Sequence, residues 1–225
     1  MICPVCQTSN PAEARFCFNC GASLSGPRQP VPAASAPAPA PSAIEGERRF
    51  ITVLFCDVVG STAIGEQLDP EQVTEIMNGA FAVFNATVAR YDGTIARLMG
   101  DAILALFGAP LAHEDDAERA VRAGLEILEA AAAYGQTVRA TYGVDFDVRV
   151  GIHSGLAVLA FVGDELKTEY TAMGDTTNVA ARLQGLAEPG TVLLSAETHR
   201  LVADRFDFAP RGAVEVTTRR ISCRP

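Results

Sequence analysis

The sequence predicts an α+β fold in which a β-α-β-β-α-β core is followed by a further strand and helix. The first observation behind this prediction is that short apolar runs alternate with segments whose apolar residues recur every three or four positions. The second is that glycine, aspartate and proline stand where these segments end. The third is composition: the 225 residues are 48% hydrophobic and 20% charged, as in a globular protein with a sizeable core.

The first half of the core is predicted to be a strand, a helix and a hairpin. A continuous apolar run indicates a central strand covered on both faces, and Pro70 begins a helix that "DG" ends. Two short apolar runs joined by "GD" indicate a hairpin with an aspartate at its tip. The predicted elements are a strand at 50–55, a helix from Pro70 to Asp92, and strands at 94–99 and 102–107.

The second half is predicted to supply a helix, strands on both sides of "HSG", and the extension. The helix has an acidic first turn, which suits the positive end of a helix dipole. The elements are a helix at 113–134, strands at 146–152 and 156–162, a helix at 175–186, a strand at 192–195 and a helix at 196–203. This order is the ferredoxin-like arrangement with a βα extension.

The beginning of the chain differs from this core. The pairs in "CPVC" and "CFNC" have the spacing of a tetrahedral four-cysteine zinc site, with one structural Zn²⁺ that supplies the folding energy. Two disulfides or a redox motif are alternatives, disfavoured by a cytosolic setting and by the lack of a surrounding βαβ unit. A linker rich in proline and alanine follows. The predicted ligands are Cys3, Cys6, Cys17 and Cys20, and the predicted domains are a small zinc ribbon at 1–25, a linker at 26–45 and the main domain at 46–225.

The charge and the apolar pattern restrict the partners. The net charge is −9, and the acidic excess belongs to the main domain because the charges of residues 1–45 cancel. This argues against a nucleic-acid surface but allows a nucleotide substrate, since metal ions can supply positive charge locally. No apolar stretch is long enough to cross a bilayer, and no secretory signal is present. We expect a cytoplasmic protein without membrane or nucleic-acid partners, and a partner of the ribbon is not predicted.

Two aspartates stand at the ends of apolar strands, where an unpaired carboxylate is costly to bury. Asp57 ends the run "FITVLFCD", and Asp101 lies at the hairpin tip in "RLMGDAILALFG". The first and third strands are neighbours in such a sheet, so both carboxylates are expected at one rim. The two carboxylates would repel each other without a cation between them. The pair therefore predicts a binding site for two metal ions about 3.5–4 Å apart. Two unrelated aspartates that cap turns are the alternative.

Two further patterns indicate a phosphorylated ligand. Gly60, Ser61 and Thr62 come at a predicted helix start, where backbone N–H groups bind phosphate. Asn178 and Arg182 lie four residues apart on one helix face, where an amide and a guanidinium can orient a sugar and neutralise phosphoryl charge. Each pattern alone is weak, because a short loop or a solvated helix face would show the same residues.

Four segments in order carry a resemblance to a known family. They are "FITVLFCDVVGST", "GTIARLMGDAILALFG", "VRVGIHSG" and "YTAMGDTTNVAARLQGLAEPG". Together they resemble the catalytic domain of class III nucleotidyl cyclases, the adenylyl/guanylyl cyclase family, over about residues 48–212. The resemblance implies that the main domain is a nucleotidyl cyclase catalytic domain with two Mg²⁺ or Mn²⁺ ions in each active site.

The resemblance also implies a role for each candidate residue. The family's ligands for the two ions fall on Asp57 and Asp101, with the carbonyl of Val58 assisting. The pair that stabilises the transition state in the family falls on Asn178 and Arg182. The pair that reads the base falls on Arg97 and Thr171. The implied reaction is attack of the ribose 3′-hydroxyl on the α-phosphorus of ATP with loss of pyrophosphate.

Family sites form between two head-to-tail catalytic domains, one supplying the aspartates and the other the remaining residues. This chain holds both sets, so the resemblance implies a homodimer with two equivalent sites. There are two alternatives to an adenylyl cyclase. One is a regulatory cyclase-like domain with weak or no activity, and the other is a guanylyl cyclase.

Two departures from the family pattern bear on these alternatives. The adenine-reading position is usually lysine, and Arg97 can donate to adenine N1 or to guanine O6. The chain ends in "TTRRISCRP", where the family continues with a last strand and a phosphate-binding lysine. We therefore expect a domain truncated at its C-terminus, with 214–216 left as an exposed edge and Arg219 or Arg220 in place of the lysine.

Overall fold

A computed structural model describes residues 2, 7–9, 46–163, 168–215 and 220–222. The chain divides into two units, Met1–Ala43 and Ile44–Pro225. In the first unit, Ile2 and Ser9 form an isolated antiparallel bridge. The four cysteines of the predicted zinc site and the predicted linker lie outside the described residues.

The second unit contains the strands and helices of the predicted core. They are β1 (Glu47–Val59), α1 (Ser61–Gln67), α2 (Pro70–Arg90), β2 (Thr94–Met99), β3 (Ala102–Phe107), α3 (Asp116–Tyr142), β4 (Asp147–Gly163), β5 (Thr168–Met173), α4 (Asp175–Leu186), β6 (Val192–Leu194), α5 (Ala196–Val202), β7 (Ala213–Glu215) and β8 (Arg220–Ser222). None of the described helices is both long enough and apolar enough to cross a membrane.

The main sheet has the order β2-β3-β1-β4-β5, and β6 pairs in parallel with β4. The first four of these strands have the order of a ferredoxin-like sheet, so the predicted fold class is confirmed. β1 lies in the middle and pairs antiparallel with both β3 and β4. This arrangement brings the end of β1 next to the β2–β3 hairpin.

The continuous apolar run of β1 is explained by burial of both faces of the sheet. Leu54, Cys56 and Val58 lie in the cluster that includes residues of α2 and α3. The alternate residues 51, 53 and 55 lie in a second cluster, which includes Ala172 of β5 and Ala180 of α4. α4 therefore covers the face of the sheet opposite to α2 and α3, and Ala172 of the edge strand β5 packs on the same side as α4.

The two strands predicted around "HSG" are one strand. β4 runs without interruption through His153, Ser154 and Gly155, which pair with residues 51–53 of β1. The prediction was wrong because glycine and serine were interpreted as a turn, whereas Gly155 lies where a side chain would meet Thr176. The prediction also missed β5, which pairs with the far end of β4.

The bounds of α3 also differ from the prediction. The helix begins at Asp116 rather than at residue 113, and the Asp116 carboxylate accepts a 2.9 Å hydrogen bond from the backbone N–H of His113. It continues past Tyr134 to Tyr142, because Gly135 is a packing residue and not a stop. A Cβ at Gly135 would come within 2.7 Å of the Phe146 carbonyl oxygen.

The segment expected as an exposed edge, 214–216, is described only as far as residue 215. β7 pairs with β8 as a two-stranded antiparallel sheet, with Val214 opposite Ile221. Residues 216–219 lie outside the described residues. The truncation at the C-terminus stays a prediction.

A buried polar network joins β4 to the helix that follows β6. The His153 ring lies 2.8 Å from the Ser195 hydroxyl, which accepts a bond from the backbone N–H of Thr198 at the start of α5. Ser154 lies 2.8 Å from Thr52 and 3.1 Å from Thr198. Burial lowers the pKa of His153, although the charges of Glu197 and Asp175 oppose this shift.

We expect the domain to lose stability on acidification from pH 7.5 to pH 5.5 in a way that depends on His153. The pKa of His153 is lower in the folded than in the unfolded state, so the unfolded state binds more protons as the pH falls through about 6.5. The measurement is urea unfolding across this range for the wild type and for His153→Gln. A smaller acid-induced loss in the variant is expected. Equal losses would show that His153 gains its proton in the folded state without penalty.

Candidate active site

The two predicted aspartates meet at one rim of the sheet. In the β1–β3 register Asp57 lies opposite Ala102, the residue after Asp101. The backbone N–H of Val58 donates to the Asp101 carbonyl at 3.2 Å. The charge of Asp101 also contributes to a raised pKa of Asp57. The structure therefore brings together the two carboxylates that the sequence placed at the ends of separate strands.

The Asp57 carboxylate is held through one oxygen. Arg149 donates to Oδ2 from Nη2 at 2.9 Å and from Nε at 3.2 Å, and Gln184 donates to the same oxygen from Nε2 at 2.9 Å. The side chain of Asp57 is 15% exposed. Burial is the main cause of its raised pKa, the charge of Asp101 adds to it, and the bonds from Arg149 and Gln184 oppose it.

The predicted phosphate loop lies beside Asp101. Gly60, the residue directly before α1, has a left-handed backbone (φ 71°), a conformation that favours glycine. The hydroxyl of Ser61 donates to Oδ2 of Asp101. Thr62 is exposed in the first turn of the same helix. The start of α1 is thus fixed to one of the two carboxylates.

The remaining predicted residues lie on other elements. Asn178 and Arg182 are exposed on α4, and the neighbouring stripe of this helix buries Val179 and Leu183. Arg97 is exposed on β2, and Thr171 is buried on β5. β2 and β5 are at opposite edges of the sheet, yet they contact each other.

Arg149 and Gln184 were not predicted to belong to this site. Arg149 lies opposite Asp57 in the β1–β4 register, and Gln184 is near the end of α4. The sequence did carry one signal for Arg149, which is a charged residue in the apolar strand segment "VRVGI". Gln184 carries no such signal, because a glutamine in a helix is ordinary.

The donor set fits a hard divalent cation. Within the described part of the chain, no hydrogen bond ends on Oδ1 of Asp57 or on Oδ1 of Asp101. No group of three or more His, Cys, Asp or Glu side chains there forms a metal cluster. Mg²⁺ is commonly held by one or two carboxylates together with water and substrate phosphates, so two carboxylates and a backbone carbonyl suffice.

A cavity of about 1110 Å³ lies elsewhere, between α3, β6, α5 and the segment after α5. Its walls include Leu125, His199 and Phe208, and none of the residues assigned above lines it. Shape alone therefore does not identify the site. The chemistry of the two carboxylates makes their rim of the sheet the candidate site.

A comparison with protein families decides the classification. The profile described as the adenylate and guanylate cyclase catalytic domain matches residues 45–223. The chain belongs to this family. A second profile, for a zinc-ribbon domain, matches residues 2–24. The two resemblances that the sequence carries, to a class III cyclase domain and to a zinc ribbon, are both confirmed.

This cyclase domain has relatives of both substrate types. It is 38% identical to Adenylate cyclase 1 of Rhizobium meliloti over 174 residues, which cover 76% of this chain and 26% of that protein. It is 31% identical to the rat guanylate cyclase soluble subunit beta-2 over 76% of this chain and 25% of that protein. The chain thus spans about a quarter of the length of these relatives.

Solved cyclase structures have the same fold. The adenylyl cyclase CyaB from P. aeruginosa matches with a TM-score of 0.77 and 29% identity, over 80% of this chain and 94% of that chain. The guanylyl cyclase Cya2 matches with a TM-score of 0.73 and 34% identity, over 76% of this chain and 86% of that chain.

Proposed function

We propose that this chain is an adenylyl cyclase that converts ATP to 3′,5′-cyclic AMP and pyrophosphate at the interface of a head-to-tail homodimer. The observation that carries the proposal is the meeting of Asp57 and Asp101 at one rim, next to Ser61. Membership of the cyclase family supplies the reaction class. The identity to Adenylate cyclase 1 supports ATP as the substrate.

The proposed roles follow from the chemistry of each group. When bound, two Mg²⁺ or Mn²⁺ ions would lower the pKa of the ribose 3′-hydroxyl and neutralise the triphosphate. Asp57, Asp101 and the Val58 carbonyl are the groups that would hold these ions. The backbone N–H groups at the start of α1 bind the phosphates.

The bond changes are those of an intramolecular phosphoryl transfer. The ribose 3′-oxygen loses its proton and bonds to the α-phosphorus, and the bond from that phosphorus to the bridging oxygen of the β-phosphate breaks. Pyrophosphate leaves with the bonding electrons. Asn178 orients the ribose, and Arg182 stabilises the charge that develops on the α-phosphoryl group.

The position of these groups supports a site shared between two chains. Asp57 lies near the end of β1 and Asp101 in the turn between β2 and β3, whereas Asn178 and Arg182 are exposed on the surface of α4. A second chain that faces this surface would meet an exposed amide and guanidinium. We therefore assign the aspartates of one subunit and the α4 pair of the other to one active site.

The choice of base is proposed to depend on Arg97 and Thr171. We expect Arg97→Glu to reduce turnover of ATP by about tenfold or more and to raise the ratio of GTP to ATP turnover. A guanidinium donates to adenine N1, whereas a carboxylate accepts from N1–H and N2–H of guanine. The matched control is Arg139→Glu, the same charge change in the last turn of α3.

The test is a product assay. The purified chain is incubated with ATP or GTP and with Mn²⁺ or Mg²⁺, and cyclic nucleotide and pyrophosphate are quantified against Asp101→Ala. We expect cyclic AMP from the wild type and none from the variant. Cyclic GMP alone would assign the guanylyl cyclase. No product from a folded dimer would assign a regulatory domain without activity.

A further inference from the structure

All the hydrogen bonds that the Asp57 side chain accepts from described residues end on Oδ2. Three donors that converge on Oδ2 restrict rotation of the carboxylate and so restrict the directions in which Oδ1 can point. Oδ1 is therefore the atom that Asp57 offers to a cation. The groups that hold Oδ2 control where Oδ1 points, because a metal ligand works only within a narrow geometry.

These groups come from two different elements. Arg149 is on β4 directly opposite Asp57, whereas Gln184 reaches Asp57 from α4. Arg149 is itself linked to the end of α4, since its Nη1 donates to the Gly185 carbonyl at 3.4 Å. The carboxylate is thus connected to α4 directly by one amide and indirectly by one guanidinium.

The backbone of Gln184 is held close to the sheet. α4 lies so near β4 that a Cβ at Gly151 would come within 2.1 Å of the Gln184 backbone nitrogen and 2.5 Å of the Ala180 carbonyl oxygen. Only a glycine permits this approach. The contact fixes the point from which the Gln184 side chain extends, so its amide reaches Asp57 from a defined position.

We propose that Gln184 is a positioning residue for the metal site, which holds Oδ2 of Asp57 so that Oδ1 faces the cation. A neutral amide suits this task, because it adds a hydrogen bond to Oδ2 without adding to the positive charge that Arg149 already brings there. The same short helix carries Asn178 and Arg182. Gln184 therefore couples the metal ligand of one site to the helix that supplies the catalytic pair of the other. This inference rests on the proposed function, since that function names the cation.

The test is the affinity of the protein for Mn²⁺, measured from the electron paramagnetic resonance signal of free Mn²⁺ in the presence of 3′-deoxy-ATP. The nucleotide lacks the attacking hydroxyl, so binding is read without turnover. Gln184→Met keeps the length of the side chain and removes the donor, and we expect a Kd for Mn²⁺ about tenfold higher. Gln184→Ala should give the same loss. Gln136→Met is the matched control, because Gln136 is exposed on α3.

A kinetic measurement separates positioning from general damage. The KM for Mn²⁺ is expected to rise in Gln184→Met, while kcat at saturating Mn²⁺ stays within about twofold of the wild type. An unchanged or lower Kd in both Gln184 variants would overturn the inference and leave the proposed function intact. If the wild type binds Mn²⁺ no more tightly than Asp57→Asn does, the proposed function is overturned, and this inference with it.

Discussion

Replacement of Asp57 by asparagine is expected to abolish cyclic nucleotide formation, by about a thousandfold or more, without unfolding the domain. The loss follows because a bound metal supplies several kcal/mol of charge stabilisation, and each 1.36 kcal/mol is a factor of ten in rate. The fold should persist because an asparagine oxygen can still accept from Arg149 and Gln184, which hold one oxygen of Asp57.

The same variant should be at least as stable as the wild type at neutral pH. The pKa of Asp57 is raised in the folded state, chiefly by burial, so folding disfavours its ionised form. The wild type therefore gains stability as the pH falls through the folded pKa toward the ordinary value of 3.8, whereas the variant gains nothing there. The stability of the variant relative to the wild type should be greatest at neutral pH, and the difference should vanish in acid.

Both parts of this prediction can be measured on one preparation. Chromatography quantifies cyclic nucleotide, and thermal unfolding at pH 7.5 compares the melting temperatures. Asp145→Asn is the control, because Asp145 is an exposed aspartate whose partner Arg139 is also exposed. Retention of more than a tenth of the activity in Asp57→Asn would contradict the assignment of Asp57 as a metal ligand.

A mixture of two inactive variants is expected to recover activity if the site lies between two chains. Asp57→Ala lacks the metal ligand and Arg182→Ala lacks the transition-state cation, so each homodimer should be inactive. After exchange of subunits, half of the dimers contain one chain of each kind. Each of these holds one site with intact Asp57 and intact Arg182, so about a quarter of wild-type activity should return.

The control for this mixture places both substitutions in one chain. A chain with Asp57→Ala and Arg182→Ala, mixed with wild type, forms mixed dimers in which each site lacks one of the two groups. These dimers should contribute no activity. The wild-type dimers that remain in this control should leave about a quarter of the wild-type activity. Recovery in the first mixture, with about a quarter in the control, would establish sites shared in trans. No recovery in the first mixture and about half in the control, with subunit exchange verified by mass, would place each site within one chain.

The fold could be predicted where one local pattern dominates. β2 and β3 have the predicted bounds, because two apolar runs flank the Gly100–Asp101 turn. The "HSG" segment was misread because glycine in a strand and glycine in a turn look alike in sequence. What distinguishes them is the close approach of α4, a tertiary contact that no local pattern contains. The end of α3 was misplaced at Tyr134 for the same reason, since Gly135 serves packing.

The site was predictable only in part for a related reason. Asp57 and Asp101 stand out because each interrupts an apolar strand, and strand order alone brings them together. Arg149 and Gln184 lie 92 and 127 residues from Asp57 along the chain. Their contact with it depends on strand register and on how α4 lies against the sheet. Such residues emerge only when the register is known.

The absence of a side chain at Gly151 has a consequence for genetic experiments. A screen that collects spontaneous inactive variants is expected to return position 151 together with the aspartates, although this residue has no functional group and no proposed contact with the nucleotide. Even alanine there would push α4 from β4, because the added carbon would lie 2.1 Å from the Gln184 nitrogen. Such variants would be grouped with active-site losses by phenotype, and only the spacing between helix and sheet would explain why.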